Sequence, residues 1–223
     1  MTADRLALPA HTRRTKLVVV VRAPEAAAYQ RVLDVLVEAG IGSVELTLTT
    51  PGTFEALPGL RERYGDRVDL GIGTVTNSSD LSAAVEAGAT YLVTPISSTA
   101  LVEQATAAGV PIVPGGLTPT ELFGSWSAGA SAVKVFPAGT VGPGYLKDLR
   151  GPFTDIEVVP SGGVDLTSAA AWLKAGAAAV SVGGPLLRRC LRRWGADRAG
   201  RARQGLRRAV RIATVLTLRS DLL

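Results

Sequence analysis

The run Ala132-Val133-Lys134-Val135-Phe136-Pro137 sets a lysine in the middle of a short, β-rich apolar segment. Side chains alternate along a strand, so Val133 and Val135 share one face while Ala132, Lys134 and Phe136 share the other. With the valines packed outward on helices, Lys134 points inward. A buried ammonium is costly unless it is paired, neutralised or used. Desolvation lowers its pKa and frees the amine that attacks a ketone carbon. The chain has four lysines; Lys147 and Lys174 fall in helical segments and Lys16 precedes the first strand, which leaves Lys134 as the candidate nucleophile. The segment Ser43-Val44-Glu45-Leu46-Thr47 turns a carboxylate inward by the same alternation. Such a pair forms a structural salt bridge, or works on a small substrate held between, with Glu45 moving protons. Both readings fit the residues, and a resting pair that opens for substrate joins them. Two Gly-Gly pairs, Gly162-Gly163 after Ser161 and Gly183-Gly184, end the last two strands. Paired glycines there let backbone N–H groups approach an anion such as phosphate, although Gly-Gly is also an ordinary turn.

Other chemistries lack their residues. The one histidine, His11, lies near the N-terminus, and the one cysteine, Cys190, has no thiol partner. A His-rich or thiolate zinc site, a Ser-His-Asp triad and a Cys-His pair are therefore not expected. Glu45 stands nearly alone among acids at strand ends, so neither a metal nor a cofactor is expected. Residues 188–211 hold ten arginines against one acid, Asp197, a local +9 that leaves the remainder near −4 of the overall +5. With Trp194 as the one interleaved aromatic, this stretch reads as Arg-rich, solvated helices over 188–223, not a nucleic-acid surface. No apolar run approaches the roughly 20 residues of a membrane span. There is no signal-peptide pattern, and the lone Cys190 suits a reducing compartment, so the expected location is cytoplasmic.

These residues need a scaffold that aims them at one another. β-rich runs recur at 17–21, 43–47, 68–72, 91–94, 111–113, 132–135, 156–159 and 179–182. Segments with helical periodicity lie between most of them, at 25–39, 54–64, 80–87, 100–108 and 166–175. Several end in Ala-Gly: Ala39-Gly40, Ala87-Gly88, Ala108-Gly109, Ala128-Gly129 and Ala175-Gly176. Eight strands alternating with helices predict parallel βαβ units closed into a (β/α)8 barrel. It forms one domain over 1–223, with residues 1–12 as an N-terminal arm or helix. Strands 2 and 6 of such a ring face each other, which opposes Glu45 to Lys134. An open doubly wound sheet is the rival, but Arg22-Ala23-Pro24 stands after the first strand where a Gly-rich fingerprint would be.

The motifs at these strand ends resemble those of the 2-keto-3-deoxy-6-phosphogluconate aldolase family, with its phosphogalactonate and 4-hydroxy-2-oxoglutarate relatives. The resemblance runs from about Lys16 to Leu187. It rests on Val-Val-Arg-Ala (20–23), Val-Glu-Leu-Thr-Leu-Thr (44–49), Gly-Ile-Gly-Thr-Val-Thr (71–76), Val-Thr-Pro (93–95), Pro-Gly-Gly-Leu-Thr-Pro-Thr-Glu (114–121), Val-Lys-Val-Phe-Pro-Ala (133–138) and Pro-Ser-Gly-Gly-Val (160–164). It implies Lys134 as the Schiff-base lysine and Glu45 as general acid and base. It also implies Arg22 and Thr74 near the substrate carboxylate, Pro95 and Phe136 as apolar walls, and Ser161, Gly162, Gly163, Gly183 and Gly184 around phosphate. A metal-free homotrimer acting on a small 2-oxo acid is the implied enzyme, a class I aldolase (a lyase) releasing pyruvate and glyceraldehyde 3-phosphate.

Three positions depart from the family pattern. Thr49 stands where many members carry a substrate-binding arginine, which makes Thr49 a candidate contact and Arg22 a candidate substitute. Pro185 replaces a serine, and Ser161 a threonine. A pyruvate-releasing aldolase for another, unphosphorylated 2-oxo acid such as 4-hydroxy-2-oxoglutarate is therefore the alternative. A non-catalytic anion-binding or assembly barrel is the rival of a different class.

Overall fold

The structure, a computed structural model, describes residues 5–183. The expected Arg-rich helices over 188–223, with Gly184, Pro185 and Cys190, lie outside the described residues. The chain runs α1 (Ala10–Thr15), β1 (Leu17–Val21), α2 (Tyr29–Glu38), β2 (Ser43–Thr47), α3 (Thr53–Tyr64), β3 (Asp69–Gly73), α4 (Ser78–Glu86), β4 (Leu92–Val93) and α5 (Thr99–Ala107). It continues with β5 (Ile112–Val113), β6 (Gly115–Gly116), α6 (Pro119–Ser127), β7 (Val133–Val135), α7 (Gly144–Arg150), β8 (Val158–Pro160), α8 (Leu166–Lys174) and β9 (Val180–Val182). The expected helix over 25–39 begins instead with a 3-10 turn, Ala26–Ala28, ahead of α2. The helices α6 and α7 are further elements that periodicity did not pick out.

The strands form an α/β fold with a curled parallel sheet in two parts, ordered β5-β4-β3-β2-β1-β9 and β6-β7-β8. Eight strands were expected; the fifth is broken in two at Pro114. Proline has no N–H to give to a ladder, so the pairing stops there. Its carbonyl still serves, accepting from Lys134 N at 2.7 Å, and Ser131 N donates to Ile112 O at 3.0 Å. At the other seam Ala178 N donates to Val158 O at 2.9 Å.

Local signals set the element ends. Asn77 caps α4 by accepting from Asp80 N at 2.9 Å. Thr118 and Glu121 form a reciprocal capping box on α6, and Asp165 and Ser168 another on α8. The Ala-Gly pairs end their helices as expected: Gly40 and Gly88 both take φ 89°, the left-handed conformation glycine adopts without a Cβ clash.

The alternation read from the sequence divides the core. Val44, Leu46, Leu70, Ile72, Val133 and Val135 belong to the larger cluster, which α2 joins through Val32, Leu33 and Leu36. Val18, Tyr91, Val93, Val113, Ala132 and Val159 form a second, inner cluster. The arm completes the inner cluster from the N-terminal ends of the strands, where Leu8 inserts into it. Arg5 pins the arm by donating to Trp126 O (2.9 Å) and Ala130 O (2.5 Å), with its guanidinium 3.4 Å from the centre of the Trp126 ring. Thr12 N donates to Asp69 Oδ2 at 3.1 Å.

The inward positions of β3 are Asp69, Gly71 and Gly73. A Cβ on Gly71 would overlap the ring of Tyr91, which is itself fully enclosed. Gly71→Ala is therefore expected to destabilise the fold by about 1–3 kcal/mol, the usual cost of overpacking a filled core. Urea unfolding measures it, and an unchanged midpoint would count against this packing.

Candidate active site

Adjacent strands position the two charges. Glu45 sits in β2 between Val20 of β1 and Gly71 of β3, and Lys134 in β7 pairs with Gly115 and Val159. Glu45 is 4% exposed and Lys134 is 6%. Gly73 makes room for the carboxylate: a Cβ there would overlap Glu45 Oε1. The two side chains line a common cavity of about 10 Å³, with Tyr91, Val113, Val159 and Ser181 around them. Both side chains thus point to the inner face, the direction that the alternation predicted.

Burial dominates the electrostatics. It lowers the pKa of Lys134 below the usual lysine value, opposed by the nearby charge of Glu45. It raises that of Glu45, opposed by Lys134 and then by Arg22. No contact ion pair or hydrogen bond joins Lys134 to Glu45. Lys134 Nζ instead lies 4.9 Å from the centre of the Phe136 ring. The amine is therefore driven toward its neutral, nucleophilic form, beside a carboxyl group driven toward protonation, which suits proton shuttling at a carbonyl carbon.

The other sequence candidates gather at the C-terminal ends of the parallel strands. Arg22 follows β1 and is exposed, yet near enough to Glu45 to act on its titration. Thr49, beyond β2, is exposed, and its hydroxyl lies 3.0 Å from that of Thr47. Thr74 follows β3 with φ 68°, an uncommon conformation for a β-branched residue and a position where strain is held by its surroundings. Pro95 is half-buried beyond β4, and its carbonyl packs where a Gly115 side chain would lie. Phe136 is 39% exposed.

The Ser161-Gly162-Gly163 turn follows β8. Its carbonyls are tied down, with Ala138 N donating to Ser161 O at 2.7 Å and Gly139 N to Gly162 O at 2.8 Å. Gly162 and Gly163 have φ 79° and 80°, and a Cβ on Gly162 would meet the Phe136 ring at 2.9 Å. Among the described residues neither glycine N–H has a hydrogen-bond acceptor, so both are available to an anion. Ser161 Oγ donates to Ser181 Oγ at 3.3 Å. Gly183 follows β9 beside Val20, while Gly184 lies outside the described residues. Among the described residues, no three His, Cys, Asp or Glu side chains cluster to hold a metal, and no helix is long and apolar enough to cross a membrane.

A family model described as KDPG and KHG aldolase matches residues 8–196. The chain belongs to this aldolase family. It is an enzyme of the lyase class. Among relatives of this aldolase, the 2-dehydro-3-deoxy-6-phosphogalactonate aldolase of Escherichia coli K12 is 34% identical over 154 residues, 69% of this chain and 75% of the relative. The 2-dehydro-3-deoxy-phosphogluconate aldolase of Pseudomonas aeruginosa is 36% identical over 141 residues, 63% of this chain and 64% of the relative. A solved structure titled as native KDPGal is 29% identical, superimposes with a TM-score of 0.76, and covers 92% of this chain and 95% of its own.

Sequence reasoning missed three participants in the aldolase site. Gly73, Tyr91 and Ser181 all touch Glu45 or the cavity it lines. Alternate glycines within a strand signal that something approaches closely, and Gly71 and Gly73 carried that signal. Tyr91 and Ser181 carried none, since a tyrosine and a serine in β-rich runs are unremarkable.

Proposed function

We propose that this aldolase is a class I, Schiff-base enzyme that cleaves a 2-keto-3-deoxy-6-phospho sugar acid to pyruvate and glyceraldehyde 3-phosphate, without a metal. The observation that carries the reading is Lys134: an amine 6% exposed, lowered in pKa by burial, sharing a cavity with Glu45 and with no ion pair to quench it among the described residues. The Lys134 amine adds to the C2 ketone, and loss of water leaves an iminium. Glu45 takes the proton of the C4 hydroxyl. The C3–C4 bonding pair moves into the iminium to give an enamine, and C4 departs as the aldehyde. The protonated Glu45 returns its proton to C3, and water hydrolyses the resulting iminium to pyruvate and free Lys134. Covalent attachment replaces a carbanion by an enamine and so divides one hard step into easier ones.

Arg22 and Thr74 are the groups we assign to the carboxylate end, with Thr49 beside them and Pro95 and Phe136 as walls. Ser161 and the N–H groups of Gly162 and Gly163 are assigned to phosphate, together with Gly183 and, outside the described residues, Gly184. We further infer that the two sheet parts are arcs of one closed (β/α)8 ring in a single domain, supported by the hydrogen bonds across both seams at Pro114 and Ala178. A homotrimer in the cytoplasm accompanies this reading; Ile96 and Phe123, each 43% exposed, are apolar surface that neighbouring subunits would cover.

Pyruvate release from 2-keto-3-deoxy-6-phosphogluconate, its galactonate epimer and 4-hydroxy-2-oxoglutarate tests the assignment. One hydrogen bond to a charged group contributes about 1.5–3 kcal/mol. A phosphorylated substrate should therefore exceed 4-hydroxy-2-oxoglutarate in kcat/KM by at least about tenfold. Indifference to phosphate would transfer the assignment to an unphosphorylated 2-oxo acid, and silence across all three would overturn it.

A further inference from the structure

Lys134 carries positive charge at two points of the cycle above, as the ammonium and as the iminium. Condensation of the neutral amine with a ketone takes up one proton from solution and releases water, so a cation is created inside the protein. A buried cation without a partner is costly. The surroundings of Lys134 offer it little. The cavity that its side chain lines is walled largely by Leu8, Val18, Val93, Val113 and Val159, aliphatic groups that cannot solvate a charge. Its neighbours along the ladders are Gly115 and Val159. Among the described residues the amine makes neither a hydrogen bond nor a contact ion pair.

One group does meet it. Lys134 Nζ lies over the ring of Phe136, 4.9 Å from its centre. Phe136 follows β7 two residues after Lys134, on the same side of the extended chain. Its N–H donates to Gly116 O at 2.9 Å, and its ring lies against Gly162, where any side chain would displace it. The ring is therefore seated between β6 and the turn after β8. The face of an aromatic ring is the negative end of its quadrupole and attracts a cation within about 6 Å of the centre. Exclusion of water strengthens that attraction, and Lys134 is a buried residue.

We propose that the Phe136 ring is an electrostatic group of this site, its face stabilising the positive nitrogen of Lys134 in both the ammonium and the iminium. The proposal rests on the aldolase reading of the site. It gives the ring two effects that an aliphatic wall of equal size lacks. The ring favours the covalent adduct, and it opposes part of the desolvation that lowers the Lys134 pKa. The titratable and charged groups around Lys134 are Glu45 from β2, Tyr91 ahead of β4, and Arg22 beyond β1 on the side of Glu45. Tyr91 is raised well above the usual tyrosine value by burial and stays uncharged. From the arm, α1, β5, β6, β8 and β9 come Leu8, Thr12, Val113, Gly115, Val159 and Ser181, which do not titrate.

Phenylalanine carrying one, two or three ring fluorines, placed at position 136, nearly keeps the size of the ring while each fluorine draws negative charge off its face. The initial rate of borohydride trapping of pyruvate, followed against pH and pyruvate concentration, reads both effects. The pH of half-maximal trapping marks loss of the Lys134 proton. It should fall stepwise with fluorine number, by about half to one pH unit across the series, because the ammonium loses support. Above that pH the amine is neutral throughout, and the pyruvate concentration for half-maximal trapping should rise by about three- to tenfold, because the iminium loses the same support. Easier deprotonation together with a weaker adduct is a pairing that lost packing does not produce. Phe136→Leu, which removes the face altogether, should lie beyond the last fluorinated ring on both measures. Values that do not follow fluorine number overturn the proposal and leave Phe136 as a wall. Wild-type protein that pyruvate and borohydride fail to label would instead sink the aldolase reading itself.

Discussion

Lys134→Ala is expected to lower pyruvate release by at least about 10³-fold, with borohydride no longer fixing pyruvate to the protein. The size follows from the chemistry. The iminium is the electron sink for C3–C4 cleavage, and no other described lysine substitutes for it: Lys147 and Lys174 lie on α7 and α8, and Lys16 lies between α1 and β1. Digestion of the trapped wild-type enzyme should place the mass of reduced pyruvate on the peptide carrying Lys134. A label on another lysine, or a variant retaining more than a few per cent of activity, would remove the basis of the mechanism.

Glu45→Gln should lower kcat by about 10²–10⁴-fold, the usual contribution of a positioned acid and base. Glutamine keeps the shape that Gly73 accommodates, so the loss reports proton transfer and not packing. Trapping of pyruvate should survive. Burial is the larger cause of the lowered Lys134 pKa, and Glu45 opposes it, so removing the carboxylate lowers that pKa further and extends trapping to lower pH. Stability should move the other way from activity. Because folding raises the Glu45 pKa, its contribution to stability is full below the unfolded carboxylate value and is lost as pH rises through the folded one. Above the unfolded carboxylate value the wild type begins to lose that contribution, so the melting temperature of the variant should rise relative to wild type as pH is raised from 4 to 8. A lower melting temperature together with lost trapping would mean that Glu45 holds the fold instead of serving the reaction.

The alternation around Lys134 and Glu45 was legible because a strand has a fixed period of two, so a lone charge among valines has a known direction. The Ala-Gly helix ends were legible for a similar reason, since each is a local preference needing no partner from elsewhere. The break at Pro114 was not read, although its cause is local: the run 111–113 was taken to its last β-branched residue, and the two glycines beyond it look like a loop. Tyr91 was hidden for a different reason. Its significance lies in meeting Thr12 and Ser43, 79 and 48 positions away in the chain, and in the gap opened by Gly71. The glycines of the 161–163 turn were read as anion donors from their place after β8. That their N–H groups lack acceptors among the described residues, while Ala138 and Gly139 occupy the carbonyls of Ser161 and Gly162, depends on contacts between two strand ends that no local pattern shows.

The clamp of Arg5 on Trp126 and Ala130 has a practical side. It anchors the start of the described chain at the far pole from the catalytic opening. A purification handle or surface-immobilisation tether joined upstream of that arginine would leave turnover unhindered, provided the guanidinium is retained, and would orient every tethered molecule with its opening toward the bulk solution.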